Sequence, residues 1–504
     1  MEYNDLEKIR IEKILSLRRT GREPYPTRAH PTHTNQAALQ AFSEAESSGT
    51  AATPLRVTLA GRLRSMRPMG KIIFAHIEDG SGRIQLFFRI NDLGEETMRQ
   101  LTEEFDLGDF IEADGELFRT RTGEITLRVA AFRMLAKAIT PLPAAKDEVV
   151  DGQIVRHAIL SDPETRFRQR YADLAVNPEV RRIFRTRASI VKAVRQFFDE
   201  HDFLEVETPI LQPIYGGAAA KPFVTHHNQL KQDLYLRISF ELYLKRLLVG
   251  MLDRVYEIGR DFRNEGVSYK HNPEFTQIEF YMAYADYLKV MQLTEEMLAF
   301  VCDKVLGRRL ITYSGHEINL NPPWKRVELR LCLIETTGID LALYPTGESL
   351  AEAMRGRGMN PKPGTPRGKL IDGLLGDFLE PTLIQPTFLY DYPRDISPLA
   401  KSKPGDPTTV ERFEGFVGGM ELCNAFTELN DPLDQEARFL EMGREYQAED
   451  EERHPMDEDY LRAMSYGMPP CGGFGMGVDR LTMLLTDQHS IREVLLFPHL
   501  REAE

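Results

Sequence analysis

Cysteine is scarce in this 504-residue sequence: Cys302, Cys332, Cys423 and Cys471 are widely scattered, and no Cys-x-x-Cys pair occurs. Such spacing excludes a disulfide framework and a cysteine-built zinc centre, and it suits a reducing, cytoplasmic setting. Long apolar runs are also missing. No stretch approaches the roughly 18 uninterrupted apolar residues of a membrane helix, so no membrane is expected among the partners. The segment Met1–Arg10 is charged and helix-prone, without the apolar centre of a secretion signal.

A surplus of positive charge is absent as well. The net charge of −14 weighs against a nucleic-acid partner, because phosphate binders usually carry excess basic residues. Distribution can override a total, however. Arg56, Arg62, Arg64, Arg67 and Lys71 share one acid-free stretch, whereas acids gather around 449–459, expected as a solvated loop. Otherwise the chain is ordinary: 42% hydrophobic and 28% charged residues describe a globular protein, and its length calls for at least two domains.

Three regions follow from the local patterns. Residues 1–54 comprise a helix over the first twenty, with Leu6, Ile9, Ile14 and Leu17 at helical spacing. A Pro/Thr/Ser/Ala/His-rich linker or loosely packed helix completes the region. Residues 55–143 hold several short alternating strands punctuated by turns such as Asp79-Gly-Ser-Gly82, as in a small five-stranded oligonucleotide-binding (OB) barrel. Beyond Pro141-Leu-Pro143, residues 144–504 read as a larger α+β region without internal repeats.

Its chemistry concentrates in a few segments. A helix near Val180–Glu200, striped by Ile183, Ile190, Val194 and Phe197, runs into a proline-ended strand over 203–209; it serves either its own domain or a subunit interface. Strand alternation over 254–263 groups Glu257, Asp261 and Arg263, and over 275–281 it groups Phe275, Gln277, Glu279 and Tyr281. The loop between them supplies Glu265, Lys270 and His271. Such a hairpin presents an arginine, an aromatic plate and carboxylates, which a nucleoside triphosphate and a cationic ligand would need; a solvated Arg/Glu ladder is the other reading. Glu414 and Glu421 offer oxygen ligands for magnesium, and Asn424 and Glu428 follow. Parity raises a difficulty. On a straight strand Glu421 faces away from Asn424 and Glu428, so either a bulge intervenes or they serve different ligands. Finally, glycines from Gly472 to Gly477 open a helix with Arg480 in its first turn, allowing backbone to approach a ligand.

In this order the segments resemble the three signature motifs of class II aminoacyl-tRNA synthetases: the proline-terminated helix–strand, Phe262-Arg-Asn-Glu265, and Gly475-Met-Gly-Val-Asp-Arg480. Arg168-Gln-Arg-Tyr-Ala-Asp-Leu174, Glu241-Leu-Tyr-Leu-Lys-Arg246, His271-Asn-Pro-Glu-Phe275 and Asn424-Ala-Phe-Thr-Glu-Leu-Asn-Asp431 narrow the resemblance to the bacterial-type lysyl-tRNA synthetase family, from residue 55 to the end. One departure is Ser239-Phe240, where Ala-Pro is usual.

The resemblance implies a homodimer, an OB-fold barrel that reads the anticodon, and a catalytic antiparallel sheet flanked by helices. It implies an ATP- and Mg2+-dependent ligase joining L-lysine to lysine tRNA. By motif, Arg263 and Arg480 are catalytic. ATP is met by Arg263, Asn264, Glu265, His271, Asn272 and Phe275, with Glu421, Leu422, Gly477 and Arg480 on the other side. Glu414 and Glu421 hold the metal. Lysine is met by Gly217, Glu241, Arg263 and Glu279, together with Tyr281, Asn424 and Glu428. In the barrel Phe74 stacks on a base and Arg62 and Gln85 contact bases, unless Phe74 belongs to the barrel core. Other readings are an aspartate- or asparagine-specific synthetase, which should need a cationic pocket, a catalytically silent RNA-binding relative, and a truncated paralogue that modifies a protein.

Overall fold

The computed structural model describes residues 2–48, 54–143, 146–150, 153–157, 160–445 and 455–501. The chain divides into two units, Met1–Ser161 and Asp162–Glu504. In the first, helix α1 (Asp5–Arg19) starts at a capping box in which Asn4 and Glu7 each bond the other's backbone N–H. It buries Ile14 and Leu17 but leaves Leu6 and Ile9 exposed, so only part of the expected stripe is used.

Of the two readings of the next stretch, linker or loosely packed helix, residues Asn35–Ser47 take the helical one: α2 is capped by Thr34 and buries Ala38 and Asn35. Its alanines favour helix even though its overall composition is polar. Residues 49–53 of that stretch lie outside the described residues.

Strands β1 (Arg56–Met69), β2 (Ile72–Glu78), β3 (Arg83–Arg89), β4 (Phe110–Arg119) and β5 (Ile125–Ala136) close a barrel in the order β1-β2-β3-β5-β4. Inward side chains alternate along each strand; on β2 these are Ile73, Ala75 and Ile77. Helix α3 (Glu95–Glu104) buries Met98 and Leu101. The β4–β5 register slips between Asp114 and Gly115, a bulge of the kind that bends strands into closure. Gly115 is obligatory there, because a β-carbon would fall onto the Arg128 carbonyl.

In the second unit, β6 (Leu204–Glu205), β7 (Arg254–Phe262), β8 (Glu274–Ala283), β9 (Lys325–Glu328), β10 (Thr387–Pro393), β11 (Asp406–Val417), β12 (Met420–Thr427) and β13 (Cys471–Gly477) form one sheet. Their order is β9-β10-β11-β12-β13-β8-β7-β6. Interior neighbours are antiparallel, but β6 and β9 pair in parallel at the margins, so the expected antiparallel sheet is mixed. The strand expected over 203–209 shrinks to the two residues of β6.

Helices packed about this unit include α4 (Pro178–Glu200), α5 (Glu241–Val249), α6 (Tyr287–Leu306), α7 (Glu458–Ser465) and α8 (Val478–Thr486). The α4 stripe of Ile183, Ile190, Val194 and Phe197 is buried against its own unit. Phe280 of β8 stacks on Phe474 of β13 at 4.8 Å and meets Phe198 of α4 at 5.2 Å. Each such ring contributes about 1.5–3 kcal/mol by leaving water. This pile occupies one face of the sheet and leaves the other free for chemistry. Of the acidic segment expected as a solvated loop, 449–454 lie outside the described residues; Asp457 is buried, caps α7 and pairs with Arg246 at 2.8 Å.

Replacing Gly115 with alanine should strain the β4–β5 bulge and cost the first unit about 1–3 kcal/mol. Chemical denaturation of the full chain would read this as an earlier transition.

Candidate active site

Strand β8 and the glycine-rich β13 beside it border a cavity of about 330 Å³. Phe275, Gln277, Glu279 and Tyr281, two residues apart along β8, all line it. The register sets Glu279 opposite Gly475 and Tyr281 opposite Gly473, so the missing side chains of β13 make room for the long ones of β8.

One end of the cavity is cationic. Arg263, just beyond β7, holds its guanidinium 5.1 Å from the Phe275 ring centre. Arg480, in the first turn of α8, donates from Nη1 to the backbone carbonyl and to Oε2 of Glu421, both at 2.8 Å. Its Nη2 lies 3.4 Å from His271 Nε2, while His271 Nδ1 lies 2.9 Å from Ser268 Oγ. Burial, then the Arg480 and Lys270 charges, push His271 down to about 4, so the imidazole is neutral at pH 7. Glu265, Lys270 and Asn272 also line this end.

The other end is acidic. Glu279 accepts from Ser239 Oγ at 2.8 Å, Gln277 Nε2 at 3.0 Å and Tyr281 OH at 3.2 Å. Burial, reinforced by the Asp261 and Glu241 carboxylates, raises its carboxyl well above the usual range. Glu241, at the start of α5, lines the wall with Asn424 and Gly217. Gly217 adopts a φ of +86°, and a β-carbon there would sit 2.9 Å from that of Glu241. Glu428 stands one layer back, fully buried, with Oε2 against the Lys245 ammonium and Oε1 directed at Gly473. A β-carbon on Gly473 would collide with Oε1 and with the Tyr281 ring, so the bare backbone there is a window from Glu428 to the cavity.

The parity difficulty is resolved by a bulge. Gly415 pairs with Cys423 but Phe416 with Glu421, so Leu422 is the extra residue. Glu421, Leu422 and Asn424 consequently all line the cavity. Glu414 lies opposite Asn424 but off the cavity wall, its oxygens held by Arg412 at 2.6 Å and by Tyr392 OH at 2.8 Å. Burial, with Glu421 nearby, pushes it up to about 7. Gly477 lines the cavity where β13 ends; Asn264 does not, its N–H bonding the Lys221 carbonyl. Glu257 and Asp261 turn instead to Arg237, at 2.6 and 3.4 Å.

Three residues escaped the reading of the sequence: Lys245, Arg412 and the hydroxyl of Ser239. Lys245 had a signal, since Glu241 and Lys245 are four apart on a helix and so share a face. The Ser239 departure matters, because an alanine would offer Glu279 no hydroxyl.

In the barrel, Phe74 and Gln85 project outward, on the opposite side of their strands from the core. Phe74 is therefore no core residue. It meets Phe87 at 5.1 Å, and Phe87 meets Phe118 at 5.9 Å. Gln85 bonds Glu124 and Thr126 at 2.7 and 2.8 Å. Arg62 lies over Phe110 at 4.3 Å and donates to the Gly108 carbonyl at 3.2 Å. Of the basic stretch, Arg56 is paired with Asp114 at 2.5 Å and Arg64 with Glu78 at 3.1 Å.

Residues 162–501 match the model of class II tRNA synthetases (D, K and N), and residues 57–135 match that of the OB-fold nucleic acid binding domain. A lysine–tRNA ligase of Roseiflexus castenholzii is 52% identical, with all of both chains covered. Those of Chloroflexus aurantiacus and Pelotomaculum thermopropionicum are 51% and 49% identical, over all of this chain and 99% and 96% of theirs. The chain belongs to the lysine–tRNA ligase family of class II synthetases.

The identity of this synthetase runs through both the barrel and the catalytic unit. Its four cysteines are free, and no helix among the described residues is long and apolar enough to cross a membrane. Gly473→Ala should close the window in front of Glu428. Lysine KM in ATP–pyrophosphate exchange is expected to rise roughly tenfold or more, as when a buried charged partner is lost, with ATP KM little changed.

Proposed function

We propose that the synthetase joins L-lysine to ATP in this cavity, releases pyrophosphate, and then passes lysine to the 3′-terminal adenosine of lysine tRNA. The observation that carries this reading is the polarity of one cavity: arginines and an aromatic plate at one end, buried carboxylates at the other. An aspartate-specific site would need a cation where these carboxylates stand, and the neutral amide of asparagine would leave them unmatched.

The nucleotide belongs at the cationic end. Phe275 stacks under adenine, with Asn264, Glu265, Asn272, Leu422 and Gly477 around the nucleotide. Arg263 holds the α-phosphate and the lysine carboxylate together, while Arg480 and neutral His271 meet the outer phosphates. Lysine enters with its α-ammonium toward Glu241 and Glu279, beside Gly217, and its ε-ammonium toward Glu428, Tyr281 and Asn424. Its carboxylate is already ionised, so attack on the α-phosphorus requires orientation and neutralisation of charge rather than a base. An oxygen–phosphorus bond forms as the bond to pyrophosphate breaks. In the second step a ribose hydroxyl of the tRNA attacks the activated carbonyl and adenylate leaves.

Mg2+ fits the chain's own donors. Glu421 offers oxygens at the cavity wall, and Glu414 behind it, its carboxyl raised first by burial, would join by turning from Arg412 and Tyr392. Among the described residues no group of three carboxylate, histidine or cysteine ligands stands together. The metal, once bound, supplies charge neutralisation on the triphosphate.

The barrel reads the anticodon through Phe74, Arg62 and Gln85; outward-facing rings suit base stacking, at about 1–3 kcal/mol per base. Leu204, Ile210 and Leu211 remain 44–51% exposed after α4, which supports pairing with a second copy. Four unpaired cysteines support a reducing cytoplasm as the place of action.

Two substitutions separate these roles. Glu428→Gln should raise lysine KM far more than ATP KM in the exchange assay; equal effects would remove Glu428 from the lysine pocket. Phe74→Ala should weaken tRNA charging and leave exchange unchanged, whereas loss of both would contradict an anticodon role.

A further inference from the structure

Lys245 is fully buried, and its ammonium bridges two of the three acids of the pocket: 2.5 Å from Glu241 Oε1 and in contact with Glu428 Oε2. It points back from α5 into the layer behind the cavity, beside the rings of Phe426 at 5.3 Å and Tyr281 at 6.0 Å. The neighbouring ionisable groups are Tyr460 of α7 and Cys471 of β13, both neutral at pH 7. Asp261 shares Arg237 with Glu257 and is pushed up to about 7, first by burial, while Arg412 pairs with Glu414.

The charges at this end can then be counted. Glu241, Glu279 and Glu428 carry three negative charges when ionised, and Lys245 returns one positive. A site this dry cannot hold unmatched charge cheaply. Its deficit of two equals the number of ammonium groups on a diamino acid, whose carboxylate is met separately by Arg263. An amino acid with an uncharged side chain brings one ammonium and leaves a buried carboxylate unmatched.

We propose that Lys245 is a positioning and specificity-determining residue, the resident third cation that sets the charge deficit of the pocket at two and orients Glu241 and Glu428 by holding one oxygen of each. The inference rests on the lysine-pocket reading given above. Burial raises both carboxyls and Lys245 opposes that rise, so its removal should move their protonation to higher pH.

The test uses the full-length enzyme in ATP–pyrophosphate exchange, with lysine KM and ATP KM measured from pH 6 to pH 9.5. Lys245→Met should raise lysine KM roughly tenfold or more at pH 7 and move the pH dependence of lysine KM to higher pH, with ATP KM within about twofold. Lys245→Arg should retain the wild-type profile. The double variant Lys245→Met/Glu428→Gln restores a deficit of two, whereas Glu428→Gln alone leaves one. The double variant should therefore bind lysine better than Glu428→Gln, a rescue that a merely structural lysine would not produce. If Lys245→Met does not fold, that last comparison decides. A double variant no better than Glu428→Gln, or a pH profile unmoved in Lys245→Met, overturns the proposal. Equal effects of Glu428→Gln on lysine and ATP would instead overturn the pocket reading itself.

Discussion

Buried carboxylate is the constraint on which the catalytic unit depends. Glu241, Glu279 and Glu428 are each at most 6% exposed, and an ionised carboxylate taken out of water is costly unless it finds partners. Much of the local architecture supplies those partners. Ser239, Gln277 and Tyr281 all donate to Glu279, and Lys245 serves the other two. The aromatic pile of Phe198, Phe280 and Phe474 on the far face of the sheet holds β8 and β13 side by side, so that the acids have a fixed wall to stand on.

The cavity's two ends are joined by one strand that changes phase. Along β12 the bulge at Leu422 lets Glu421 face the arginine end and Asn424 the acidic end, although strict alternation would send them to opposite faces. Arg480 then ties Glu421 to the first turn of α8, and Arg412 ties Asn424 to Glu414. A few bonds among β11, β12 and α8 thereby serve both ends of the cavity.

Where side-chain direction follows from alternation, the sequence was a sufficient guide. The β8 row from Phe275 to Tyr281 and the α4 stripe are instances. It also showed that Glu421 and Asn424 were incompatible with a straight strand, but not which residue would bulge, because a bulge is fixed by pairing with β11. Around helix α2 the polar composition left linker and loosely packed helix both open. Two features depended on tertiary contact and had no local signature: Arg412 reaching both Asn424 and Glu414, and Glu428 facing the cavity through the bare backbone of Gly473. Lys245 lay within a quoted segment at helical spacing from Glu241, and only the fold reveals its second partner. Whether Phe74 belongs to the barrel core turned on strand phase, which the closed barrel supplies.

That strand phase has a practical side. On β2 the odd-numbered positions Ile73, Ala75 and Ile77 fill the barrel, whereas Phe74 and His76 alternate with them on the outside. Interior and surface are thus written on interleaved letters of the same strand. A combinatorial library confined to the outer letters could retarget the barrel toward other loop sequences while the hydrophobic interior, and with it expression and solubility, stays as it is.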